Sequence, residues 1–308
     1  MTPRFRLGFW RLADPKISLA SMASIFLGAA AAARDGRLAW GWLALTVLGI
    51  FAIEVAKNAS GELFDWDSGT DQAVAAEDRS PFSGGKRVLV DGLLTRGQTR
   101  AIAAAGYAGG SLAGLVIVLL REPDVLWFGI VGLALAYFYH ARPVQLSYRG
   151  LGELAVTVVY GPLIAGGTYL VQRGTVAPYV LALSVPLGLL IGAFLWINEF
   201  PDYRADLAAG KRTLVVRLGR ARASVAFAGI VALALVGLVL ARATGAPAAA
   251  LLGAAGFVPA GRAARTLART PEHTATIVPA QALTLLGFLL LALGTGLGTL
   301  LSSHGANR

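Results

Sequence analysis

Apolar runs of about 20 residues, the length needed to cross a bilayer as a helix, alternate along the chain with shorter polar stretches. They fall near 17–34, 38–57, 101–120, 124–140, 151–171, 178–198, 223–241, 244–261 and 276–301. The fourth and eighth are the shortest. The pattern predicts an all-α, polytopic membrane bundle of about nine transmembrane helices around a central cavity, with residues 1–308 forming a single domain. Thirty-eight glycines suit helices that pack closely within lipid.

Composition agrees with this pattern. The chain is 56% hydrophobic and 14% charged, where a soluble domain carries about 25% charged residues. A basic tail precedes the first run, as in a signal peptide, but no small-residue cleavage site leads into a soluble domain, so that run is read as span one. With no cysteine, disulfides, thiolate metal sites and thiol nucleophiles are excluded.

The net charge of +10 is unevenly placed. On nine spans, Arg4, Arg6, Arg11, Lys16 and the loops after spans two, four, six and eight hold twenty of the 27 basic residues. The opposite side holds Arg34, Arg37, Arg121, Arg173, Arg242 and Arg308, and Lys57 sits near a span end. Cytoplasmic loops retain positive charge, so the amino terminus is expected in the cytoplasm. The excess charge reads as topology and attraction to anionic headgroups or substrates; no nucleic-acid-binding motif is present, and no obligate protein partner is indicated.

Two polar stretches stand out at span ends. Span six runs into N-E-F-P-D-Y-R-A-D-L-A-A-G-K-R-T-L (198–214), where Asn198, Asp202 and Asp206 recur every four residues and stack on one helix face. Like charges one turn apart repel unless a cation lies between them. Carboxylate and amide oxygens suit Mg²⁺, which takes substrate phosphates as further ligands; Lys211 and Arg212 add phosphate donors. A solvated helix end with balanced charges is the plainer reading of this stretch alone.

A second cluster upstream changes the balance. Span two ends in E-V-A-K-N-A-S-G-E-L-F-D-W-D-S-G-T-D, placing Glu54, Asn58, Glu62, Asp65, Asp67 and Asp71 within eighteen residues. Asn58, Glu62 and Asp65 share a face if the helix continues to Gly69. Four crossings separate the clusters, so both lie on one side. Each precedes a basic, Gly-containing loop, 79–87 and 209–213, and Arg79, Lys86 and Arg87 could clamp a second phosphate against the topological reading of the same charges. An internal duplication with halves meeting near residue 145 fits this layout. Facing acidic helix ends under basic loops predict a site for a metal-bridged diphosphate.

The motif pair resembles the UbiA superfamily of intramembrane prenyltransferases. Residues Asn198–Leu218, the D-x-x-x-x-G-T-D ending of the first motif and Y-R-G-L-G-E at 148–153 are particularly similar to the 1,4-dihydroxy-2-naphthoate (menaquinone-pathway) branch. The resemblance covers roughly 15–300. With Asp65 aligned to the family's central aspartate, the usual asparagine position holds Gly61 and is followed by Glu62, and Asn58 could supply the amide from one turn earlier.

The resemblance implies transfer of a prenyl group from a polyprenyl diphosphate to an aromatic acceptor, with Mg²⁺ held by Asn58, Glu62, Asp65, Asp71, Asn198, Asp202 and Asp206, and with Asp65 and Asp202 catalytic. Dihydroxynaphthoate is the implied acceptor, with loss of its carboxylate; 4-hydroxybenzoate, homogentisate and chlorophyllide are the alternatives within the family, and a cation transporter the alternative from another class. Aromatic faces can shelter an allylic cation. The candidates are Tyr137, Phe138, Tyr139, Tyr148, Tyr160, Trp196 and Phe200, of which Tyr139, Tyr148, Tyr160 and Trp196 are taken as the substrate pocket, although interfacial packing accounts for such residues as readily. Glu153 is expected to pair with Arg149, and His140 to be an interfacial side chain.

Overall fold

A computed structural model describes residues 2–302, apart from the side chains of Lys16 and Ile17. Arg308 and the Lys16 side chain, counted above, lie outside the described residues. Among those described, every regular element is a helix.

An amphipathic helix, α1 (Pro3–Ala13), bends by 49° into α2 (Pro15–Asp35). Then come α3 (Trp40–Ser68), the single turn α4 (Thr70–Ala73), a long irregular loop, α5 (Arg96–Leu120) and α6 (Val125–Phe138). The next crossing has three parts: α7 (Gly152–Val158), a π-helical turn (Val159–Leu163) and α8 (Ile164–Arg173). It is followed by α9 (Pro178–Ala208), the short α10 (Leu214–Leu218), α11 (Arg220–Leu240), a 3₁₀ segment (Ala248–Gly256) leading into α12 (Phe257–Arg269), and α13 (Thr274–Leu301).

Helical segments thus occupy all nine predicted positions, but they are unequal. Among the described residues six are long and apolar enough to cross a membrane, and seven if the bent α1–α2 pair is one span. At the two positions with the shortest runs stand α6, with 14 residues, and the 3₁₀-to-α12 segment, whose last turns carry Arg262, Arg265 and Arg269.

The boundaries follow local chemistry. Thr95 and Gln98 form a reciprocal capping box that starts α5 before its apolar run. Gly69, with φ of 81°, ends α3 in a left-handed cap. At 1.5 Å per residue α3 and α9 are roughly 44 and 46 Å long, well beyond a hydrocarbon core of about 30 Å. Their surplus turns carry the two polar motifs.

The helix α9 is the interior element. Leu183, Leu187, Leu190, Ile197 and Phe200 are almost wholly buried against α2, α7, α11 and α13. Close approach depends on small residues here: a Cβ on Gly188 would meet the Thr157 carbonyl oxygen at 2.3 Å. Outward faces of α5 and α6 expose Leu112, Leu119, Leu120 and Trp127, as a lipid-facing wall does. At the motif-bearing end Leu12 of α1 packs with Ala59, Val88, Leu89 and Leu94 in a second small core. The amino-terminal helix and the loop after α3 therefore lie at the same end as both motifs.

Candidate active site

The carboxyl-terminal turns of α3 and α9 meet at one end of the bundle. From α9, Asp202 and Asp206 face inward with Asn198 one turn below, and Oδ1 of each is buried without a hydrogen-bond partner. Such atoms are costly to leave unsatisfied, and three on successive turns make a ready set of oxygen ligands. From α3, Asp65 accepts a hydrogen bond at Oδ1 from the Tyr148 hydroxyl, 2.7 Å away, and its Oδ2 lies 3.8 Å from Nε2 of His140. Burial and then the Asp65 charge push the Tyr148 phenol up to about 12, so it remains a donor at neutral pH.

Asp71 sits on α4, just past the αL turn at Gly69. Its carboxylate lies where a Cβ on Gly85 would go, 2.1 Å from Oδ1. Burial, followed by the charges of Asp65 and Glu62, holds its carboxyl above the usual carboxylate range. Lys211 stands between the helix ends, with Nζ 3.4 Å from Oδ1 of Asp206. Burial works against its charge, but Asp206, Asp65 and Asp202 outweigh it and keep the ammonium protonated. Four motif carboxylates, Asp65, Asp71, Asp202 and Asp206, and one cation therefore share one electrostatic environment.

The other predicted residues are placed differently. Asn58 donates its amide to the Leu12 carbonyl at 2.8 Å and ties α3 to α1. Glu62 accepts the Leu89 amide at 2.9 Å and anchors the loop. Among the loop cations, Lys86 pairs with Asp14; Arg87 donates to the Asp71 carbonyl at 2.7 Å and lies 3.5 Å from Asp91; Arg79 reaches the Val74 carbonyl at 3.4 Å. The Arg212 side chain is exposed, and its backbone amide donates to the Tyr148 carbonyl. The expected Glu153–Arg149 pair does not form. Glu153 turns into the bundle and accepts the Leu214 amide at 2.6 Å, satisfying the start of α10, while Arg149 donates to the Pro143 carbonyl.

An apolar cavity of about 470 Å³ lies between α3, α5, α6 and α8. Tyr139, Tyr160, Glu54 and Lys57 are among its polar lining residues. The π-helical turn, with non-helical Gly161 followed by Pro162, directs Tyr160 to Glu54, whose Oε1 accepts its hydroxyl at 2.8 Å. Trp196 does not line this cavity; its indole N–H donates to the Ala223 carbonyl at 3.0 Å, joining α9 to α11. Phe200 is a core side chain, and Tyr137 is 48% exposed on the outer face. Sequence reasoning gave no site role to Lys57, to His140, which it read as interfacial, or to the buried Glu199. Their signal was present as ionisable groups at membrane depth, although spacing alone did not connect them to either motif.

Among the described residues no three carboxylate or imidazole groups converge closely enough to hold a metal ion unaided. Mg²⁺ rarely requires that, because it keeps waters and takes substrate phosphates as ligands. The donor set is all oxygen, and three of its buried atoms lack hydrogen-bond partners, Oδ1 of Asp206 facing the Lys211 ammonium. It fits a hard divalent cation.

The UbiA prenyltransferase family pattern matches residues 21–278. The chain belongs to the UbiA prenyltransferase family. As a member it is a prenyltransferase and a multi-pass membrane protein, which favours prenyl transfer over the cation-transport alternative. The 1,4-dihydroxy-2-naphthoate octaprenyltransferase of Mycobacterium tuberculosis is 34% identical over 285 residues, covering 90% of this chain and 94% of that protein. In fold, the UbiA homologue of Aeropyrum pernix K1, solved in its apo form, superposes with a TM-score of 0.66 at 18% identity, over 98% of this chain and 99% of that one. A UbiA homologue from Archaeoglobus fulgidus, solved with GPP and Mg²⁺, gives 0.57 at 16% identity, over 92% and 99%.

Proposed function

We propose that this UbiA family member transfers a prenyl group from a polyprenyl diphosphate to 1,4-dihydroxy-2-naphthoate, at a site formed by the ends of α3 and α9 on the cytoplasmic side. The observation that carries this reading is the row of buried oxygens on Asn198, Asp202 and Asp206, none with a hydrogen-bond partner, facing Asp65, Asp71 and Lys211. The name of the Mycobacterium tuberculosis relative supports the acceptor, and the distribution of Lys and Arg supports the side.

In this reading Asn198, Asp202 and Asp206 hold Mg²⁺ from α9, and Asp65 and Asp71 hold it from the first motif. When bound, the metal supplies charge neutralisation and Lewis acidity to the departing diphosphate. Lys211 donates to a phosphate oxygen, a charge-assisted bond that strengthens as negative charge accumulates there. Tyr148 keeps Asp65 turned toward the substrate. Glu62 and Asn58 support the site from behind, by fixing the loop and α1 to α3. The prenyl chain lies in the apolar cavity, where the Tyr139 and Tyr160 rings shelter allylic positive charge without attacking it. We also read the two motif-bearing units, α3 with loop 79–87 and α9 with loop 209–213, as copies of one ancestral unit.

The test is prenyl transfer by purified protein in detergent, with dihydroxynaphthoate and 4-hydroxybenzoate in separate reactions, each with Mg²⁺ or with a chelator. Product from dihydroxynaphthoate alone, lost on chelation, is expected. Product from 4-hydroxybenzoate instead would overturn the acceptor, and product undiminished by the chelator would overturn the metal.

A further inference from the structure

Gly61 and His140 make a contact that the two motifs do not account for. Gly61 lies on α3 one turn before Asp65. A Cβ built on it would lie 2.6 Å from Cε1, 2.9 Å from Nδ1 and 3.0 Å from Nε2 of His140. The imidazole fills the space that a side chain at 61 would need.

His140 enters from the opposite wall, in the turn that follows α6. That turn is fixed by two hydrogen bonds to the Tyr139 carbonyl, from the Ser147 amide at 2.9 Å and the Ser147 hydroxyl at 2.7 Å. The ring packs edge-on against Tyr139 with centroids 4.8 Å apart and is 8% exposed. Nδ1 is buried with no hydrogen-bond partner, and Nε2 faces Oδ2 of Asp65 at 3.8 Å. A buried polar ring with an unsatisfied nitrogen is unfavourable in a purely packing role. Its placement is explained by the carboxylate beside it, whose other oxygen is already held by Tyr148.

We propose that His140, in the turn after α6, is a positioning residue: it occupies the space left by Gly61, faces Oδ2 of Asp65 and fixes that carboxylate for the metal-bound diphosphate. Together Tyr148 and His140 hold the two oxygens of Asp65 from two sides. The 3.8 Å separation is longer than a hydrogen bond, and such contacts tighten when substrate enters. Position 61 and position 140 are therefore reciprocal, and one polar group fits between α3 and the turn. The proposal rests on the reading of Asp65 as part of the diphosphate site.

The experiment measures binding of a non-reactive prenyl thiodiphosphate to the purified full chain in detergent, with and without Mg²⁺, alongside thermal unfolding. His140→Ala is expected to weaken Mg²⁺-dependent binding roughly 10- to 100-fold, the usual loss when a group supporting a metal ligand is removed. His140→Gln, which retains a polar donor, should recover part of it. Gly61→Asn alone should also bind poorly, because the ring occupies its space, whereas Gly61→Asn combined with His140→Ala should bind far better than either single variant. Wild-type binding by His140→Ala, or a double variant no better than His140→Ala, would overturn the positioning role. If Asp65→Asn loses binding while His140→Ala keeps it, the diphosphate site stands and this proposal falls. If wild type and Asp65→Asn bind equally, both fall.

Discussion

Lys211 differs from the four other basic residues predicted to contact diphosphate, because it alone among them stands between the motif carboxylates. Lys86, Arg87 and Arg79 are drawn to Asp14, Asp91 and backbone carbonyls, and Arg212 faces outward. Lys211→Ala is expected to weaken donor binding about 10- to 100-fold, the range for losing a hydrogen bond between charged groups, and Arg212→Ala to change it little; KM for the prenyl diphosphate in each variant checks this. Equal effects of the two substitutions would contradict the placement. The sequence showed that basic residues follow each motif, but it could not distinguish among them. Lys86 and Asp14 are 72 positions apart, and a pairing of that range depends on how α1 docks. Glu153 illustrates the same limit: Arg149 is its neighbour in sequence, while the amide it satisfies belongs to Leu214.

At the scale of the element, hydropathy located the helices but not all of their ends. The apolar run ends near 198, while α9 continues to Ala208, and the four-residue spacing of Asn198, Asp202 and Asp206 keeps those polar groups on one face of the extension. The same holds for α3, whose end at Gly69 was legible from the glycine itself. The 3₁₀ segment and the π-helical turn left no periodic signature, since small residues tolerate several helical geometries. Packing of α7 against α9 depends on Gly188. Gly188→Val would drive a side chain into the Thr157 carbonyl and the Gly161 backbone and should cost about 1–3 kcal/mol or more by overpacking, seen as a lowered melting temperature in detergent. Gly229→Ala on α11 meets nothing within 4 Å and should leave it unchanged. Equal melting temperatures for the two variants would contradict this packing.

For the molecule as a whole, two overlong helices bring polar ends together at one end of the bundle, and on the proposed function the apolar cavity beside α3 takes the isoprenoid chain. On the proposed function this division matches a prenyl diphosphate, whose anionic head and apolar tail need different solvents. The most direct measurement of the central claim is turnover of prenyl diphosphate and acceptor by Asp65→Asn and Asp202→Asn, each checked for normal insertion into the membrane. Each change removes one charge with little change in volume. The account predicts that both lose turnover by roughly a hundredfold or more, the scale for removing one preorganised electrostatic contact. Normal turnover in both, with protein correctly inserted, would contradict a site shared between α3 and α9.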